Sequence, residues 1–127
     1  MGTTKITAAI IALVAALGVA STASAKGGGP SVSGTCTAAS TSKLKAKSDD
    51  GRLELELEVD SNVSRQTWQV VLKDNGSNVL KKKFKTRAPS GSFEARARPA
   101  DRAGTDTIQA TATNNATGES CTATLSV

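Results

Sequence analysis

Residues 52–60, RLELELEVD, alternate apolar and charged side chains without a break, and KLKAK, residues 43–47 ahead of them, does the same. Successive side chains of a β-strand point to opposite faces, so each run carries one apolar and one charged face. Asp50-Gly51 has the composition of a tight hairpin turn. That turn sets Asp49 opposite Arg52, Lys47 opposite Glu54, Lys45 opposite Glu56 and Lys43 opposite Glu58, while Ala46 faces Leu55 and Leu44 faces Leu57. Every pair matches. A slip of one residue would press lysines against leucines on the face that has to be buried. The carboxylate row is therefore read as the wet side of a strand neutralised by its neighbour, each exposed pair contributing a few tenths to about 1 kcal/mol. Calcium binding by Glu54, Glu56 and Glu58 is the competing reading. Alternate strand positions lie more than about 6 Å apart and lack the loop carbonyls that complete such a site.

The same period of two runs through the rest of the chain, with no sustained helical stripe. Strands are expected over 35–47, 52–60, 66–73, 79–87, 92–98, 105–114 and 120–127, separated by Gly-, Asn-, Asp- and Pro-rich turns at sandwich-like spacing. At the second hairpin, an even turn at Asn75-Gly76 would set Trp68 against Lys83. An odd loop with a bulge sets Trp68 against Phe84 and Leu72 against Leu80, and is preferred. It leaves Lys82 pointing inward, acceptable only by snorkelling at a sheet edge. A third hairpin over Ala88-Pro89-Ser90-Gly91 would place Phe84 opposite Ala95 and Thr86 opposite Phe93 inside, with Lys83 opposite Arg96, Lys81 opposite Arg98 and Lys85 opposite Glu94 outside. The expected core comprises Leu55, Leu57, Trp68, Val70, Leu72, Phe84, Phe93 and Ile108. Trp68 is read as a core side chain, not a sugar-stacking platform.

The N-terminal end supplies the compartment. Lys5, an apolar run over 6–20 and Ala23-Ser24-Ala25 form a secretory signal peptide, expected over 1–25. The run is shorter than the roughly 20 apolar residues a membrane span needs, so no membrane association is expected after cleavage. Residues 26–34 read as a Gly-rich flexible leader, and 35–127 as one domain, expected to be monomeric. In an exported chain, two cysteines near the domain ends, Cys36 and Cys121, are expected to form a disulfide between the first and last strands. The expectation is an all-β fold: a single immunoglobulin-like sandwich of about seven antiparallel strands with one disulfide, secreted outside the cell.

The segment DRAGTDTIQATATN, residues 101–114, resembles the corner before the sixth strand of immunoglobulin-like and fibronectin type III-like bacterial domains. The corner tyrosine of those folds is absent, since the chain has no Tyr. With its Trp-containing third strand and APSGSF turn, residues 88–93, the mature chain also resembles the small single-domain secreted proteins of actinobacteria. That resemblance implies fold and compartment and carries no activity with it.

The residue inventory restricts the chemistry. There is no His, and both cysteines are expected to be oxidised, so the common nucleophile–base pairs cannot be assembled. Imidazole- and thiolate-bound metals lack ligands, and no Gly-rich phosphate loop precedes a helix. No enzymatic activity, catalytic residue, metal or cofactor is expected. The remaining signal is charge: without Lys5, 15 Lys and Arg face 11 Asp and Glu. Lys81, Lys83, Lys85, Arg87, Arg96 and Arg98 form the expected basic face, a surface for anionic polysaccharide or cell-wall polymer. A solubilising surface that blocks sheet-edge association is the plainer explanation of the same residues. Nucleic acid is disfavoured as a partner, because no aromatic is free to stack on bases. Two other classes stay open. One is a small-molecule carrier like the enediyne apoproteins, which are similar in size and export but carry two short-loop disulfides; the other is a secreted protein–protein interaction module.

Overall fold

The computed structural model describes residues 29–127; the expected signal peptide and residues 26–28 of the leader lie outside the described residues. Among the described residues there are nine strands: β1 (Ser31–Ser33), β2 (Thr35–Cys36), β3 (Thr41–Asp49), β4 (Arg52–Asp60), β5 (Thr67–Asp74), β6 (Ser77–Lys85), β7 (Ser92–Ala97), β8 (Thr107–Asn114) and β9 (Ser120–Ser126). They form two antiparallel sheets, ordered β1-β3-β4-β7 and β2-β9-β8-β5-β6. Because β4 to β5, β6 to β7 and β7 to β8 each cross between sheets, β3–β9 make a seven-stranded immunoglobulin-like sandwich. Two short strands are added at its N-terminal side.

The expected first strand is broken in two. Cys36 belongs to one sheet and Thr41 to the other, so the chain must change layers over Thr37–Ser40, where it bends. Part of the segment read as a leader is also structured: Val32 of β1 pairs with Leu44 and packs against the core. Gly34 makes the step from β1 to β2 possible. A β-carbon there would collide with the Ser42 hydroxyl and the Thr122 carbonyl.

The β3–β4 register is the one the charge pattern dictates, from Asp49↔Arg52 through Lys47↔Glu54 and Lys45↔Glu56 to Lys43↔Glu58. Asp50 and Gly51 take φ of 54° and 80°, the paired positive values of a two-residue turn that follows strand twist. At β5–β6 the expected pairs Trp68↔Phe84 and Leu72↔Leu80 form. The extra residue is not in the loop, however. Asn75-Gly76 is a two-residue turn with φ of 50° and 89°, and the register shifts inside the hairpin, between Leu72↔Leu80 and Lys73↔Asn78. Val79 is the bulged residue.

The third hairpin does not form. β6 and β7 lie in different sheets, and β7 pairs with β4 through Leu55↔Ala97, Glu56↔Arg96, Leu57↔Ala95 and Val59↔Phe93. Electrostatics favours this arrangement, since pairing β6 with β7 would set Lys83 opposite Arg96 and Lys81 opposite Arg98, and like charges directly opposed are destabilising. Phe84 and Phe93 still meet, but across the layers, with rings stacked at 5.4 Å.

The core is continuous between the sheets. Leu55, Leu57, Trp68, Val70, Leu72, Phe93 and Ile108 are buried, and Phe84 is half-buried against them. Lys82 does face inward, opposite Val70 on the edge strand, and its ammonium stands 5.5 Å from the Phe84 ring centroid while remaining exposed. Cys36 and Cys121 are direct cross-strand partners on β2 and β9 and form a disulfide.

Candidate polyanion-binding face

Alternation along β6 sends Lys81, Lys83 and Lys85 to the outer face of the five-stranded sheet, opposite Val71, Gln69 and Thr67. All three lysines are exposed. The Val79 bulge is what puts them there: with unbroken pairing from the Asn75-Gly76 turn, these lysines would share the inner face with Trp68 and Leu72. Their Cα atoms recur about every 6.6–6.8 Å along the strand. Arg87 follows at the end of the row, exposed, where its backbone bridges to Ser92 and the chain leaves for the other sheet.

The rest of that face is uncharged apart from Lys73. Gln69↔Thr113 and Val71↔Thr111 extend it to β8, and Thr113↔Ser120, Thr111↔Thr122, Gln109↔Thr124 and Thr107↔Ser126 to β9. Thr35 of β2 closes the far edge. None of the 11 carboxylates of the chain falls on it. A row of ammonium groups therefore borders a carpet of hydroxyl and amide groups with no internal counter-charge.

Arg96 and Arg98 are placed elsewhere. Arg96, on the outer face of the four-stranded sheet, bonds Glu94 at 2.7 Å and Glu56 at 2.9 Å, and Arg98 lies 3.5 Å from Asp49 and 3.6 Å from Glu54. Lys45 and Lys47 join Glu56 and Glu54 at 3.7 and 3.6 Å. The hydrogen bond to Glu94, then the charge of Glu56, push the Arg96 guanidinium further above its already high ordinary value. Among the described residues every ion pair lies on or beside this sheet. The six expected basic residues are thus split into a free row, Lys81, Lys83, Lys85 and Arg87, and a neutralised pair, Arg96 and Arg98.

Two other features lie at the ends of the sandwich. One end carries an open groove of about 340 Å³ lined by Ala38, Ser40, Val63, Gln66, Asn114 and Glu119, among others. Its one carboxylate is engaged, Glu119 accepting from the Ala38 and Ser40 amides at 3.2 and 3.0 Å and from the Ser40 hydroxyl at 2.7 Å. Cys36, Glu119 and Cys121 converge within 4.8 Å, but the disulfide leaves no thiolate to bind a metal.

At the opposite end, Asp74 and Asp106 are buried on the inner face, and sequence reasoning passed over both. The signal was parity: Asp74 is in phase with Trp68, Val70 and Leu72, and Asp106 with Ile108, Ala110 and Ala112. Burial, then Asp74 against it, then Asp101, raise the Asp106 carboxyl from its ordinary 3.8 to about 6. The folded chain therefore holds this proton more tightly than the unfolded chain, and stability falls as pH rises from about 4 through about 6. In a buffer free of divalent cations, Asp106→Asn is expected to remove that part of the dependence. Melting temperatures of the two proteins across this window check it, and parallel profiles would refute the assignment.

Compared with protein-family models, with curated proteins and with solved structures, the chain matches none.

Proposed function

We propose that this chain is a secreted, non-catalytic binding module whose working surface is the outer face of the five-stranded sheet, and that it takes anionic polysaccharide or cell-wall polymer. One observation carries the reading: three exposed lysines in strand register border a sheet face without a carboxylate. Ammonium groups without internal partners are free to exchange their counter-ions for those of a polymer, while the hydroxyl and amide rows offer hydrogen bonds to a hydroxylated chain. The disulfide, and the absence among the described residues of a helix long and apolar enough to cross a membrane, are compatible with an extracellular setting. Trp68 is sealed in the core and Phe84 faces inward, so the face has no stacking platform for nucleic-acid bases.

The test is co-sedimentation with insoluble bacterial cell walls before and after removal of their anionic polymers, at low and high salt. Binding is expected to need the polymers and to collapse with salt. Reversing Lys81, Lys83 and Lys85 to Glu is expected to weaken it roughly tenfold or more, at about 1 kcal/mol per cation near an anionic surface. Arg96→Ala, which removes a neutralised cation, is expected to leave binding unchanged. Salt-sensitive binding by the triple variant at full strength would exclude this face.

A further inference from the structure

Each sheet of the sandwich ends in two outer strands, β1 and β7 in one and β2 and β6 in the other, and an outer strand presents backbone donors and acceptors with which a further strand can pair. Three of these strands are poor templates. β1 has three residues and β2 two, with residues 123–126 of β9 open only as a short stretch beyond β2. β6 is long, but it carries the Val79 bulge and the consecutive Lys81, Lys82 and Lys83, and self-pairing there would set lysine against lysine. β7, SFEARA, has no lysine, proline or bulge, and its pairing with β4 is regular throughout.

The hydrogen-bond phase identifies the free groups of β7. The Ser61 amide donates to the Gly91 carbonyl at 3.0 Å and the Leu53 amide to the Pro99 carbonyl at 2.9 Å, so the pairs in phase with them, Val59↔Phe93, Leu57↔Ala95 and Leu55↔Ala97, are those that exchange bonds. Glu94 and Arg96, in the alternate phase, turn N–H and C=O away from β4, toward a side where no strand of the chain stands. The open stretch is bounded at both ends. The Ser92 carbonyl accepts the Arg87 amide at 3.0 Å, and the Arg98 carbonyl accepts from the Arg52 guanidinium at 2.7 Å. What remains is Phe93, Glu94, Ala95, Arg96 and Ala97, centred on Ala95.

We infer that this edge pairs with the same edge of a second copy of the chain, antiparallel about a two-fold axis at Ala95. In that register Glu94 falls opposite the partner's Arg96, and Arg96 opposite the partner's Glu94, so the outward backbone groups of both residues satisfy one another. Their side chains, on the outer face, form opposite-charge pairs twice over. On the inner face Phe93 comes opposite a small alanine, Ala97, and Ala95 opposite its own copy, so no bulk collides. The second copy also supplies a charge the single chain is short of. Glu94 stands directly opposite Glu58, a like-charge pair, and the cation beside it, Arg96, is shared with Glu56. The two four-stranded sheets become one continuous sheet. β6 ends the other layer, and its lysines oppose the approach of a second basic chain; with so short a shared edge, the association is weak, roughly in the high micromolar range. Polymer binding on the five-stranded sheet does not depend on it.

The test is sedimentation equilibrium of the mature chain over about two decades of concentration spanning that range. The average mass is expected to rise from one chain toward two, and hydrogen exchange at the Glu94 and Arg96 amides to slow in step, since these donors are free in the single chain and bonded in the pair. Arg96→Glu turns both cross-axis pairs from attraction to repulsion and is expected to weaken association roughly tenfold or more. Arg96→Pro removes an outward donor that β4 does not use, so the fold is kept, as circular dichroism checks, while pairing is lost. Lys83→Glu, on β6, is expected not to weaken association. A mass that stays at one chain across the range would overturn the proposal, as would full association in both Arg96 variants, or exchange at Glu94 and Arg96 that ignores concentration.

Discussion

Replacing Cys36 and Cys121 together with alanine is expected to lower the folding free energy by about 4–5 kcal/mol. The residues are 85 apart, and in the chain-entropy model a bridge closing a loop of that length restricts the unfolded chain by this amount. The native state gives up little packing. β2 has two residues and rests on the outer edge of β9, so its removal exposes little of the core that Leu44, Leu55, Trp68 and Ile108 share. The loss therefore falls mainly on the unfolded side, with two measurable signatures. Urea unfolding should show a larger dependence on denaturant as well as a lower midpoint, because the open unfolded chain exposes more surface. The melting temperature should drop by roughly 15–30 °C for a domain of this size. A loss below about 1 kcal/mol would mean that the unfolded chain is already compact enough to keep its ends together.

The parts of the fold legible in the sequence were those where a wrong register would bury a charge. In β3–β4 every second residue from Lys43 to Asp49 and from Arg52 to Asp60 is charged, so one register is acceptable and the structure has it. In β5–β6 the apolar residues fixed Trp68 against Phe84, yet the position of the extra residue was not readable. A residue inserted in the loop and one inserted at Val79 give the same downstream pairing, and only the compactness of the Asn-Gly turn decides between them.

The partner of β7 lay beyond local reasoning. Pairing Ser92–Ala97 with the strand just before it in sequence is the short-range choice, whereas β4 is distant along the chain and becomes a neighbour only when the sandwich closes. The like-charge pairs of the short-range choice were the available warning. That misreading gathered Arg96 and Arg98 with the β6 lysines. Parity also located Asp74 and Asp106 on the inner face, but buried carboxylates run against the usual partition of charge and were passed over.

Trp68→Ala is expected to cost about 3–5 kcal/mol, close to the disulfide in size but opposite in origin, since the loss falls on the native state. Trp68 has no exposed surface, sits between Phe84 on β6 and Asn114 on β8, and meets Phe93 of the facing sheet at 6.3 Å between ring centroids. The chain has few aromatics, so no neighbour is large enough to refill the space. Trp68→Phe separates the two contributions of the side chain. The indole N–H is buried without an acceptor, and phenylalanine removes that orphaned donor while keeping much of the ring volume. The expected loss is then only about 1–2 kcal/mol, the smaller ring being the cost and the relieved donor a partial offset. Denaturant unfolding followed by far-ultraviolet circular dichroism measures both variants without the indole reporter. Equal losses in Ala and Phe would show that the indole N–H is satisfied in solution, and a loss below about 1 kcal/mol in Trp68→Ala would mean that the two sheets can close over the vacated volume.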